Sequence, residues 1–136
     1  MGTSIFINLP VADLPASRGF FGALGFSFNA QFSDDTAACM VIDETIFAML
    51  LTHEKFAQFT SKPIVDARAS TEVLVALSRD SKAAVVEIFD KAIAAGATEA
   101  RPGEDYGFMM SRAFADLDGH IWEWVWMDPN HVMPTE

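Results

Sequence analysis

The stretch DLDGHIWEWVW, residues 116–126, decides the fold. Its first four residues are a polar turn signal, and the apolar run that follows alternates in the manner of a β-strand. Alternation places the three tryptophans of the run on one face, where they would pack against a helix, and Glu123 on the opposite face with Ile121 and Val125. The sequence therefore predicts a strand that presents one carboxylate on an otherwise apolar face.

Length, composition and charge narrow the class of protein. The 136 residues fit one compact domain, and 51% hydrophobic residues are ample for its core. Nine basic against nineteen acidic residues give a net charge of -10, which argues against nucleic acid and anionic membrane surfaces as partners. The N-terminus lacks the pattern of a signal peptide, and no apolar run approaches the roughly 20 residues that span a bilayer. We expect a cytoplasmic protein.

The first half of the chain has the pattern of a strand, a helix and three strands. A β-prone run at 4–11 is followed by a helical pattern with Asp13 as its N-cap and Gly25 as its C-terminal stop. The lone cysteine, Cys39, lies in an apolar strand and is predicted to be a buried, inert thiol. The three predicted strands lie at 27–32, 37–43 and 45–52.

The second half repeats this order. An apolar strand at 70–78 precedes an amphipathic helix that begins at an Asp80 or Ser81 cap and ends at Gly96, and strands follow again as far as residue 128. We therefore predict a single domain over residues 1–136 that contains two βαβββ modules. Module one covers about 1–52, a linker with a short helix covers about 53–69, and module two covers about 70–128.

Three segments together resemble the vicinal oxygen chelate superfamily, which is also called the glyoxalase, bleomycin-resistance and dioxygenase superfamily. These segments are FINLPVADLPASRGFFGALGF at 6–26, AIAAGA at 92–97 and FADLDGHIWEWVW at 114–126. The resemblance implies an α+β fold in which two tandem βαβββ modules form a curved sheet around a shared cavity. It also implies a homodimer.

The resemblance further implies four metal-ligand positions, which fall on Phe6, Met49, Leu74 and Glu123. Only Glu123 has a side chain that can bind a divalent ion. A catalytic ion of this kind needs about three protein ligands with nitrogen or oxygen atoms. We therefore expect no metal and no other cofactor.

One rearranged metal site stays open as an alternative. Asn8 lies two residues after Phe6, and Glu72 lies two residues before Leu74, so alternation would turn both toward the cavity. With Glu123 they would offer two carboxylates and an amide, a set suited to magnesium or manganese.

These observations favour a small-molecule binding protein with an apolar or aromatic ligand. Three roles are open for Glu123: an anchor for a cationic or hydroxylated ligand, a general base, or a satisfied residue hydrogen-bonded to Asn8. The alternative is an enzyme of the glyoxalase (lactoylglutathione lyase) or dioxygenase type, with the rearranged metal site or with Glu123 as a base. The residues predicted to line the ligand cavity are Phe6, Asn8, Met49, Leu74, Tyr106 and Arg112.

Overall fold

Two compact units make up the chain, Met1–Asp66 and Ala67–Glu136. The computed structural model describes residues 2–131. Each unit has a four-stranded mixed sheet and contains the βαβββ order of elements. The predicted pair of βαβββ modules is confirmed, and the boundary between the units falls inside the segment that was predicted as a linker.

In the first unit the strands are ordered β1-β4-β3-β2. Strand β1 is parallel to β4, and the other pairs are antiparallel. The strand predicted at 27–32 is shorter, because the side chain of Asn29 accepts a hydrogen bond from the Gln31 N–H and begins a 3-10 turn. The elements are β1 (Ile5–Val11), α1 (Leu14–Ala23), β2 (Ser27–Asn29), a 3-10 turn (Ala30–Phe32), β3 (Ala37–Asp43), β4 (Ile46–Thr52), α2 (His53–Phe56) and a 3-10 turn (Ala57–Phe59).

Helix α1 begins and ends where its capping signals stand. The Asp13 carboxylate accepts a hydrogen bond from the Ala16 N–H at 3.1 Å, which satisfies one of the free donors of the first turn. Gly25 follows the helix with a φ of +104°, a conformation that costs little only for glycine. Phe20 and Phe21 are buried, and the helix packs against β3 and β4. These residues form part of the core of the first unit.

In the second unit the strands are ordered β5-β8-β7-β6, with β5 parallel to β8. The strand predicted from residue 70 begins only at Leu74, and residues 70–73 are exposed and irregular. The elements are β5 (Leu74–Ser78), α3 (Lys82–Ala94), β6 (Thr98–Asp105), β7 (Met109–Ala115) and β8 (Ile121–Met127).

Helix α3 covers one face of the second sheet. Ser81 is its N-cap and accepts from the Ala84 N–H at 3.0 Å, and the helix packs on β7 and β8. Trp122 and Trp124 are fully buried, and both lie on the face that α3 covers, which the alternation of the strand predicts. Helix α3 has 13 residues, and within residues 2–131 no helix is long and apolar enough to cross a membrane.

The DLDG turn is held by Asp116. One carboxylate oxygen accepts from the backbone N–H groups of Asp118 and His120, and the other accepts from the indole N–H of Trp122 at 3.0 Å. Burial raises the pKa of Asp116. The Asp116 carboxylate links the turn to the buried Trp122 of β8, because it accepts hydrogen bonds from N–H groups of both.

Candidate functional site

Glu123 lies on the face of the second sheet that α3 does not cover. The strand register aligns Ala76 of β5, Glu123 of β8, Ala113 of β7 and Arg101 of β6 in one row across the sheet. Directly paired residues point to the same face of a sheet. Because both alanines are small, the row leaves room for the two charged side chains to meet above Ala113.

Arg101 and Glu123 form an ion pair above this row. The Nε and Nη2 groups of Arg101 donate to Oε2 of Glu123 at 3.2 and 2.7 Å. Nη1 of Arg101 donates to Oε1 of Glu104 at 2.9 Å, and the Tyr106 hydroxyl donates to the other oxygen of Glu104. The hydrogen bond to Glu123 raises the pKa of Arg101. The guanidinium is therefore a permanent cation that bridges two carboxylates.

A bulge in β6 brings Arg101 to this face. Glu99 pairs with Phe114 on the α3 side of the sheet, and a regular ladder would place Ala100 opposite Ala113. The register shifts instead, so that Arg101 takes the position opposite Ala113. One extra residue in a strand turns every later side chain to the other face. Without the bulge, Arg101 would point away from Glu123.

Part of the polar capacity of the pair is unused. The side chains of Glu123 and Arg101 are 18% and 37% exposed. Among the described residues no group donates to Oε1 of Glu123. Arg101 has five N–H donors, and three of them are engaged. One oxygen of Glu123 and two N–H groups of Arg101 on this face are therefore available to bind another molecule.

Ser111 adds a second polar group to the same face. It lies two residues before Ala113 on β7 and pairs with Val125 and Glu104. Its side chain is 3% exposed, and its hydroxyl has no hydrogen-bond partner in the part of the chain that the structure describes. Burial of an unpaired hydroxyl is unfavourable.

The three predicted cavity residues of the first unit lie together. Phe6 and Asn8 share one face of β1, and Asn8 pairs with Met49 of β4. The Phe6 ring stacks on Phe47, with 4.8 Å between ring centres and 10° between planes. Phe6 is 52% exposed. This face of the first sheet therefore presents a flat aromatic surface beside an amide.

The predicted cavity residues of the second unit are divided between its two faces. Leu74 is 53% exposed and begins β5 on the face of Glu123, and Tyr106 joins that face through Glu104. Arg112 lies on the other face, where its guanidinium is 3.8 Å from the ring centre of Phe89. The structure does not bring Arg112 together with Glu123. Alternation gives the reason, since Arg112 precedes Ala113 by one residue.

The side chains at the implied metal positions do not fit a divalent ion. Phe6, Met49 and Leu74 offer no nitrogen or oxygen, and Glu123 is engaged by a guanidinium. Glu72, from the rearranged alternative, lies before β5 in an irregular exposed segment, so strand alternation does not apply to it. Within residues 2–131, no three or more His, Cys, Asp or Glu side chains are grouped to hold a metal. The expectation of a metal-free protein stays a prediction.

Comparisons with known proteins agree with this architecture. Residues 3–43 match the family model described as bleomycin resistance protein-like N-terminal. Solved structures named as glyoxalase/bleomycin resistance/dioxygenase family proteins match nearly the whole chain. The fold is that of these glyoxalase/bleomycin resistance/dioxygenase proteins. The fold that the resemblance implies is thus confirmed. No curated protein matches the chain.

Three solved structures illustrate the likeness. A hypothetical protein from S. aureus, SA1046, is 25% identical with a TM-score of 0.75, over 92% of this chain and 94% of that one. A glyoxalase/bleomycin resistance protein/dioxygenase family enzyme from Burkholderia phytofirmans is 18% identical with a TM-score of 0.75, over 93% and 99%. The fosfomycin resistance protein FosX from Listeria monocytogenes is 18% identical with a TM-score of 0.67, over 93% of each chain.

Proposed function

We propose that this chain binds a small apolar or aromatic molecule without a metal ion. The observation that carries the proposal is the ion pair between Arg101 and Glu123. Glu123 is the one implied ligand position that keeps a carboxylate, and the Arg101 guanidinium neutralises its charge. The guanidinium competes with any divalent ion for this oxygen, and the other three positions cannot compensate.

Exposed apolar side chains support binding of an aromatic ligand. Phe6 and Leu74 are each about half exposed, and stacking on Phe47 holds the Phe6 ring flat. Ligand sites are mostly apolar surfaces with a few polar groups that fix orientation. In the first unit the Phe6 ring lies beside the Asn8 amide. In the second unit Leu74 lies on the same face as the polar row around Glu123, so each unit by itself supplies both features. We propose a homodimer as the working form, which light scattering after size exclusion will test.

The binding proposal is tested with naphthalene and a metal series. Chemical-shift titration with naphthalene should saturate, and Phe6→Ala should weaken it while Phe32→Ala, on an exposed ring in a 3-10 turn, should not. Calorimetric titration with zinc, nickel, manganese and magnesium should give no stoichiometric binding. A stoichiometric metal that is lost in Glu123→Ala would overturn the proposal and favour an enzyme.

The second candidate is an enzyme that uses Glu123 as a general base. The free Oε1 atom of this half-buried carboxylate favours it, because a general base needs an accessible acceptor. Turnover of a glyoxalase-type or dioxygenase-type substrate that is abolished by Glu123→Gln, with naphthalene binding unchanged, would support this candidate. Equal turnover in both proteins would exclude it.

A further inference from the structure

We propose that Ser111, Glu123 and Arg101 form a recognition site for a neutral amide group on the ligand. The inference rests on the proposed binding function and specifies the chemistry of the ligand. Its starting observation is the Ser111 hydroxyl, which is buried on the face of Glu123 without a partner among the described residues. A buried hydroxyl is stabilised when a bound group supplies the missing hydrogen bond.

The unused groups of the site are both donors and acceptors. Oε1 of Glu123 accepts only, the two remaining N–H groups of Arg101 donate only, and the Ser111 hydroxyl does either. An amide is complementary to this set. Its N–H group donates to Glu123, while its carbonyl oxygen accepts from Arg101 or Ser111.

Charge and hydrogen-bonding capacity together disfavour the two ionised analogues of an amide. Arg101 lies between the carboxylates of Glu123 and Glu104, so the cluster carries one net negative charge. A ligand carboxylate would place a further anion beside Glu123, and it has no donor for Oε1. An amidinium would place a cation beside Arg101, and it has no acceptor for the free guanidinium N–H groups. Both leave polar groups unpaired at the site.

Apolar side chains surround these polar groups. Within the second unit, the same face of the sheet carries Leu74, Ala76, Ile121 and Val125. An apolar ring attached to the amide would contact these residues while the amide reaches the polar row. The ligand class is therefore an aromatic or apolar primary amide. Entry needs a side-chain rotation at the row, and Arg101 is itself 37% exposed.

The experiment compares 2-naphthamide with 2-naphthoate and 2-naphthamidine, which share one shape and differ in charge and hydrogen bonding. Dissociation constants are measured by chemical-shift titration, with naphthalene as the apolar reference. We expect the amide to bind at least about tenfold more tightly than either charged probe. Ser111→Ala should reduce the ratio of amide affinity to naphthalene affinity about fivefold or more. Ser70→Ala, in an exposed segment outside the strands, is the matched control and should bind like wild type.

The remaining outcomes overturn either the amide proposal or the proposed function. Equal binding of the three probes, or tightest binding of the carboxylate or the amidinium, overturns the amide proposal while binding of naphthalene keeps the proposed function. An unchanged ratio of amide affinity to naphthalene affinity in Ser111→Ala likewise overturns it. If neither naphthalene nor any probe binds, the proposed function itself fails.

Discussion

The Arg101–Glu123 ion pair should stabilise the second unit measurably, and a double-mutant cycle with Arg101→Met and Glu123→Gln isolates its coupling energy. Two N–H groups converge on one oxygen at 2.7 and 3.2 Å. For charges about 4 Å apart in an effective dielectric of about 20, the attraction is about 4 kcal/mol. Two effects offset more than half of this attraction. Glu123 is only 18% exposed, so its desolvation costs free energy, and Arg101 is 37% exposed, so solvent screens its charge. We expect a coupling of about 1.5 kcal/mol.

The assay is urea unfolding of wild type, both single variants and the double variant, followed by tryptophan emission and repeated at high salt. The matched control is the pair of Lys82 and Asp105, which are 2.9 Å apart but 39% and 48% exposed. Its coupling should be smaller than that of Arg101 and Glu123, because solvent screens the more exposed pair. A coupling for Arg101 and Glu123 no larger than that of the control would refute the reasoning. It would mean that the guanidinium does not hold the carboxylate in solution.

Three further changes should alter stability in defined directions. Ser111→Ala should raise the free energy of unfolding by about 1 kcal/mol by removing an unpaired hydroxyl, whereas Ser17→Ala, equally buried but not without interactions, should lower it in the same urea assay. Ala113→Leu should lower it by about 1–3 kcal/mol, because the added side chain collides with the ion pair above it; an unchanged midpoint would contradict the row geometry. Asp116→Asn should lower the free energy of unfolding by about 1–3 kcal/mol, because an amide cannot accept all three hydrogen bonds, including that of Trp122. Burial raises the pKa of Asp116 above 3.8, so its contribution to stability is fully present below that value and is lost as pH rises through the folded pKa. The difference in free energy of unfolding between wild type and Asp116→Asn should therefore narrow as the pH rises above about 4, and a widening difference would contradict the assigned direction.

Local signals in the sequence predicted most of the fold. The Asp13 cap and the glycine stops at Gly25 and Gly96 mark real helix ends, and strict alternation assigned both faces of β8. These features depend on residues close together in the chain, so capping residues and the spacing of apolar residues are enough to predict them. The repeated order of elements in the two halves then predicted the two βαβββ modules, and the resemblance named the fold that they form.

The charge partner of Glu123 was not predicted, because it depends on the bulge in β6. Alternation alone would put Arg101 on the same face as Glu99. That face is the α3 side, where Glu99 pairs with Arg112. The neighbouring residues Pro102 and Gly103 signal an irregular strand, but they do not fix where the register shifts. Pairing across strands decides that, and it is visible only in the folded chain.

The same irregular strand affects how copies of the protein meet. Strand β6 is an edge of its sheet, and edges with continuous free N–H and C=O groups template aggregation by adding strands from other chains. Two register shifts interrupt β6, and Pro102 has no N–H to offer a neighbour. The residue insertion that turns Arg101 toward Glu123 thus also makes this edge a poor template. Ordered self-assembly through β6 is therefore disfavoured.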